Sequence, residues 1–239
     1  MSKQKGDAQK IELAQRRSQV YGLLSSVYLK EPAASLLREL RAPGFLEVLG
    51  ELGLSFSKNF REAGEEELLE RLAIEYTRLF LGPGPHINPY ESVQRGEGRY
   101  WGDSTVEALE FFRKCGFDLG EKFTGMPDHL SVELELMSRL SAQEAEQWEK
   151  GDREGAERRV ELQKAFLREH LLTWVPFFCQ RVIEEAEEEF YRHFASLTRE
   201  VLLSEARELL GLGEKEVEEL TREARESYLR GRAPEGSQA

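Results

Sequence analysis

The sequence predicts an all-α fold, and three observations carry that reading. The 239 residues include 40 Glu and 34 Leu against 21 Val, Ile and Thr together, the reverse of what strands favour. Apolar residues recur at helical spacing along most of the chain. Several segment ends carry capping signals that satisfy orphan backbone groups. Together these predict one globular helical domain of about nine helices over residues 1–230, a flexible tail at 231–239 and a long Pro/Gly-rich loop.

The segments fall near 9–30, 33–53, 64–81, 104–115, 129–148, 152–175, 177–195, 197–210 and 214–229. In the first, Arg16-Arg17 precedes SQVYGLLSSVYL and loosely imitates a twin-arginine export signal. Ser18, Gln19, Ser25 and Ser26 dilute that run, no A-x-A site follows, and Val20, Leu23, Leu24, Val27 and Tyr28 sit at helical spacing. The run therefore reads as an amphipathic helix with a buried stripe. The loop at 82–103, GPGPHINPYESVQRGEGRYWGD, has three Pro, five Gly and no sustained period, yet carries Tyr90, Tyr100 and Trp101. Aromatics in so long a loop point to function.

Beyond the loop, Ser104-Thr105-Val106-Glu107 reads as an S-x-x-E capping box, with Val106, Leu109 and Phe112 as the buried stripe behind it. Gly116 should end that helix in the left-handed conformation, with Phe117 packing back. Asp128, after Pro127, is placed to cap the next helix. Pro176 is expected to end an apolar helix, and Val217, Leu220, Ala224 and Tyr228 mark the last one.

Charge narrows the partners. With 33 Lys plus Arg against 45 Asp plus Glu, the net charge is −12, which argues against non-specific nucleic-acid binding and for a cationic partner. Cys115 and Cys179 have no neighbouring Cys or His at ligand spacing and read as reduced, buried thiols of a cytosolic protein without a secretion signal or membrane span.

Familiar catalytic signatures are missing: there is no H-E-x-x-H, G-x-S-x-G, C-x-x-C or P-loop. The four histidines, His86, His129, His170 and His193, are remote from one another, so a metal site built from His86, Asp128, His129 and His170 is a minor alternative to a hydrogen-bonded core His170. Glu133 and Glu135, two positions apart on a helix, point about 200° away from each other and do not face a common substrate. What remains is the material of a groove: the aromatic loop, the Pro-Asp-His turn and the helix that runs to Pro176.

At these residues the chain resembles the TorD/DmsD/NarJ family of redox-enzyme maturation chaperones. The likeness rests on Glu75-Tyr76-Thr77-Arg78-Leu79-Phe80-Leu81-Gly82-Pro83-Gly84, on Pro89-Tyr90-Glu91-Ser92-Val93 followed by Gly102-Asp103-Ser104-Thr105, on Pro127-Asp128-His129-Leu130 continuing through Glu133, Leu134 and Met137, and on Phe166-Leu167 with His170-Leu171, Trp174 and Phe177. The resemblance implies a cytoplasmic, non-catalytic protein that binds the twin-arginine signal peptide, or an equivalent N-terminal segment, of the apo form of a molybdenum-containing oxidoreductase. It would hold that client for insertion of the molybdopterin cofactor before export or assembly. It implies a peptide groove at Gly82, Pro83, Tyr90, Glu91, Trp101, Asp103, Pro127, Asp128, His129 and Leu130.

The chemistry of such a peptide, two guanidiniums and then an apolar stretch, calls for carboxylates and an aromatic-lined channel. Glu91, Asp128 and Asp103 would form an acidic lip, Tyr90, Trp101 and Leu130 the apolar wall, and His129 a donor to a peptide carbonyl. No cofactor of the protein's own is expected. Guanine nucleotide is left out for want of a phosphate loop, and monomer and dimer both stay open. Two other readings stand beside this one: a signal-independent assembly factor for a membrane-bound nitrate reductase-like enzyme, and a helical metal-dependent hydrolase. The segments up to about Lys10 and after Leu212 lie outside the resemblance.

Overall fold

Helix α1 (Ser2–Leu29) buries Ala14, Tyr21, Leu24, Val27 and Tyr28, a face centred on Tyr21 and Leu24 with the expected Val20 and Leu23 half-buried at its flank. Of the serines that interrupt its apolar run, Ser18 and Ser25 contact α8 (Leu130–Lys150), while Ser26 Oγ donates to the Leu23 carbonyl within the helix. Ser25 Oγ donates to the Ser131 carbonyl at 2.8 Å, and Ser138 Oγ donates to the Ser18 carbonyl at 2.8 Å. A Cβ on Gly22 would sit 3.3 Å from Ser138 Oγ, so small residues let the two helices approach closely. Arg17, the second arginine of the false export signal, is sequestered by Glu144 at 3.2 Å and Glu205 at 2.8 Å.

The computed structural model describes residues 2–82, 86–97, 101–117 and 125–232. Among them the fold is all-helical, and no helix is long and apolar enough to cross a membrane. The expected helix at 33–53 divides into α2 (Ala34–Leu40) and α3 (Pro43–Glu51), because Pro43 starts a helix well but disfavours helical backbone in the residue before it. A short α4 (Lys58–Glu62), unforeseen, is capped by Ser57, whose Oγ accepts from Phe60 N. Helix α5 (Glu65–Tyr76) runs on through a π turn, Thr77–Leu81, as the sequence pattern requires.

A second unforeseen helix, α6 (Glu91–Gln94), interrupts the long loop, and α7 follows at Asp103–Lys114. The capping box at Ser104 is corrected: the helix begins one residue earlier, and the Ser104 N–H and hydroxyl both donate to the Glu97 carboxylate across the loop. Gly116, at φ 78°, ends α7 as expected, with Phe117 N bonded back to the Phe112 carbonyl.

The expected break near Pro176 is also corrected. Helix α9 (Arg153–Phe166) passes through a π turn, Leu167–Leu171, into α10 (Leu172–Glu185), which contains Pro176. The π turn has already shifted the hydrogen-bond register there, and Pro176 is buried, so core packing outweighs one lost ladder bond. The chain turns at 186–188 instead. There the Glu75 carboxylate accepts from Glu187 N at 2.5 Å and Glu188 N at 3.3 Å while holding the Arg78 guanidinium at 2.6 Å. Helix α11 (Glu189–Glu205) therefore spans the expected break near 196 and ends in a third π turn, Ala206–Leu210; α12 (Glu214–Leu220) and α13 (Arg222–Arg232) close the chain. In the last stripe Val217 and Ala224 are buried and Leu220 packs beside them, while the Tyr228 side chain lies outside the described residues.

Tyr28 of α1, Phe80 of the first π turn and Phe178 of α10 meet within 6.3 Å of one another, and Tyr76 and Tyr191 extend the cluster to α5 and α11. Burying one such ring stabilises by about 1.5–3 kcal/mol, against about 0–1 kcal/mol for an exposed ion pair. Aromatic packing, more than the many surface Glu–Arg pairs, holds the bundle. Cys115 and Cys179 are free and buried, with burial raising their thiols to about 11 and about 12 respectively.

Candidate functional site

Residues 86–97 are laced to the Pro-Asp-His turn by backbone. Ile87 N reaches back to the Leu79 carbonyl at 2.6 Å, Leu130 N donates to the Pro89 carbonyl at 2.9 Å, and Glu91 N donates to the Asp128 carbonyl at 2.9 Å. Tyr90 and His129 thereby form an isolated antiparallel bridge, and their rings meet edge to face at 4.9 Å. His129 caps α8: Ser131 N donates to Nδ1 at 3.1 Å, which places the ring proton on Nε2. Burial lowers this imidazole to about 4, so it is neutral at physiological pH, the nearby Asp128 charge notwithstanding.

With His129 as the cap, the expected capping role of Asp128 is corrected. Asp128 is fully buried, and Oδ2 accepts from Ser92 N at 3.2 Å, Ser92 Oγ at 2.6 Å and Thr105 Oγ1 at 3.0 Å. It pins α6 and the first turn of α7 to the turn that carries it. Glu91, also wholly buried, bonds His170 Nδ1 at 2.8 Å through Oε2 and Arg95 Nη1 at 3.2 Å through Oε1. His170 lies between Phe166, stacked at 4.6 Å, and Phe111, edge-on at 5.8 Å. The reading of His170 as a bonded core histidine holds in this respect.

Glu133 completes the cluster. It is fully buried, and neither carboxyl oxygen makes a well-formed hydrogen bond, with the Glu91 carboxylate and the Trp174 indole as its polar neighbours. Burial, and then the charges of Glu91 and Asp128, push its carboxyl well above the usual range. Glu135, two residues on, is half-buried and bonds the exposed Arg139, which confirms that the two carboxylates diverge.

The ten expected groove residues separate sharply. Tyr90, Glu91, Pro127, Asp128, His129 and Leu130 are brought together, and Asp128 links them through Thr105 to the start of α7, where Trp101 and Asp103 lie. Gly82 is half-buried at the end of the π turn, where a Cβ would stand 3.2 Å from the Thr77 carbonyl; Pro83, like Tyr100, lies outside the described residues. The acidic lip is corrected: Glu91 and Asp128 face inward, and of the three only Asp103 is exposed. The apolar wall changes too, since Leu130 belongs to the core. The metal set of His86, Asp128, His129 and His170 is not assembled.

Solvent meets a different surface. Trp101 is 59 % exposed and, at φ 62°, the one described non-glycine residue in the left-handed region, a strained backbone for a large side chain. Asp103, Val106, Glu107 and Glu110 follow on one exposed face of α7. Val106, expected in the core stripe, is 50 % exposed and Leu109 half-buried; Phe112 is buried as expected, with Phe111 beside it. Sequence reasoning missed Ser92, Thr105 and the role of Glu133. A signal for Glu133 existed: it is a charge on the Leu130, Leu134, Met137 stripe that α8 buries.

Residues 40–180 match the family model described as nitrate reductase delta subunit. The chain is 31% identical over 193 residues to the chaperone protein TorD of Vibrio vulnificus, covering 74% of this chain and 86% of that one. It is 27% identical over 194 residues to a Tat proofreading chaperone, DmsD, of Haemophilus influenzae, covering 77% and 87%. A redox enzyme maturation protein of Archaeoglobus fulgidus shares the fold at a TM-score of 0.51 and 24% identity, over 78% of this chain and 93% of the other.

Proposed function

The chain belongs to the nitrate reductase delta subunit family of redox-enzyme maturation chaperones, and from that premise we propose that it grips the twin-arginine signal peptide, or an equivalent N-terminal segment, of a molybdenum-containing oxidoreductase. It holds this client in the cytoplasm until the molybdopterin cofactor is inserted, then releases it for export or assembly. Its role is binding rather than catalysis, in keeping with the names of its relatives.

One observation carries the reading at the level of residues: Trp101 is exposed on a strained, left-handed backbone directly before an acidic helix face. An exposed indole offers an apolar anchor at low entropic cost. Asp103, Glu107 and Glu110 beside it suit guanidinium groups, which pair with carboxylates in fork geometry. Glu91 and Asp128 serve from beneath by fixing Tyr90, the Pro-Asp-His turn and α7 relative to one another. His129, neutral and anchored through Nδ1, presents Nε2–H as a donor for a peptide carbonyl.

Calorimetric titration with a synthetic twin-arginine peptide tests this, beside the same peptide carrying two lysines. Saturable binding that weakens with lysine and with added salt is expected, and Trp101→Ala should lower affinity about tenfold or more. Equal binding of both peptides, indifferent to salt, would favour the second reading, a signal-independent assembly factor, which the family's nitrate reductase description supports.

A further inference from the structure

We infer that Glu91, Glu133 and His170 form a binding site for one divalent first-row transition cation, of the zinc or manganese class, that ties the 86–97 segment to α8 and to the π turn after α9. One ligand atom from each residue lies within 4.8 Å of the others. Ligands about 2.0–2.2 Å from a metal lie up to about 4.4 Å apart on opposite sides of it, so small side-chain adjustments close the sphere.

A second, independent observation also points to a cation. Glu133 is fully buried with two oxygens that make no well-formed hydrogen bond, an arrangement that costs free energy unless something binds them. Glu91, Asp128 and Glu133 are all at 0 % exposure, and among the described residues the cationic group bonded to them is Arg95, at 3.2 Å from Glu91, with His170 beside it. Three buried carboxyl groups thus face one guanidinium and one imidazole.

The donor set decides the class. Two carboxylates and an imidazole nitrogen suit zinc or manganese better than calcium or magnesium, which take oxygen ligands. To bind, His170 carries its ring proton on Nε2 and turns the Nδ1 lone pair from Glu91 to the metal, while the Glu133 carboxyl releases its proton to solvent. An open groove of about 440 Å³, lined by Glu107, Glu110, Phe111, Lys114 and Glu169, reaches the His170 edge of the cluster. Three carboxylates at its mouth favour entry of a cation.

The site belongs to none of the three helices alone. Glu91 comes from α6, Glu133 from the first turn of α8 and His170 from the π turn, so an ion there would fasten the segment bearing Tyr90 to the core. Binding of the ion does not require the client peptide, and the two proposals fail separately.

The full chain, stripped with chelator and dialysed, is titrated with zinc chloride and with manganese chloride by calorimetry, with magnesium chloride as control and thermal melting in parallel. One equivalent of zinc or manganese should bind and raise the melting temperature, with magnesium inert. Glu133→Gln and His170→Gln should each weaken affinity at least about tenfold, while Glu135→Gln, at the carboxylate that bonds the exposed Arg139, leaves it unchanged. Where Glu133→Gln fails to fold, His170→Gln alone decides. Absence of stoichiometric binding, or binding equally tight in the variants, overturns the proposal and leaves a shared proton as the occupant of the cluster.

Discussion

Two buried polar clusters lie at different places in this bundle, and they are built differently. Where α1, α8 and α11 meet, Arg17 stands between Glu144 and Glu205, and Gln163 Nε2 and Trp148 Nε1 add donors to Glu144 at 2.9 and 3.2 Å. Burial opposes the Arg17 charge, yet Glu205 and then Glu144 outweigh it and raise its pKa. Around α6, by contrast, carboxyl groups gather in excess and Glu133 makes no well-formed hydrogen bond. A cluster whose two carboxylates both pair with a guanidinium serves as scaffold. A cluster left short of positive charge is held in place by the rest of the fold, which is where function is expected to lie.

The largest effect should come from breaking the paired cluster. Arg17→Met leaves the buried Glu144 and the half-buried Glu205 without their cation and should cost about 3–5 kcal/mol, read by chemical denaturation; a cost under about 1 kcal/mol would mean that the pair is no better than a surface bridge. Asp128→Ala comes next. It strands the Ser92 and Thr105 donors and should cost about 1–3 kcal/mol, with faster hydrogen exchange confined to α6 and the start of α7.

His129→Asn sharpens the contrast through pH. The folded imidazole sits at about 4, against 6.5 for the free group, so its contribution is present above 6.5 and is lost as pH falls through 4. Asp128 and the Tyr90 ring face it, and Asp128 limits the shift. Wild-type stability should therefore climb between pH 4 and pH 6.5 more steeply than that of the variant. Smallest of all is Trp101→Gly. Relief of a left-handed non-glycine residue roughly offsets the added chain entropy, so stability should move by less than about 1 kcal/mol, while affinity for the peptide falls as in Trp101→Ala.

Much of this was legible in the chain itself. Stripes at helical spacing located the main helices, and Gly116 stops α7 in the left-handed region as expected, at φ 78°. Pro176 misled because proline inside a helix ordinarily breaks it, and nothing local announced the π turn upstream. Ser104 misled because a capping box and a residue held by a distant carboxylate share one pattern. Of the expected groove residues, Tyr90, Glu91 and those of the 127–130 turn lie together, but nothing local announced that Glu91 and Asp128 face inward.

Periodicity and capping are properties of neighbouring residues, so the sequence alone determined the all-helical fold and the place of most of its helices. Burial of a carboxylate depends instead on partners far along the chain: Glu91 meets His170 across 79 positions, and Asp128 meets Ser92 across 36. Only the tertiary structure brings those partners within hydrogen-bonding distance. That long-range packing turned Glu91 and Asp128 inward and left Trp101, Asp103, Glu107 and Glu110 facing the solvent.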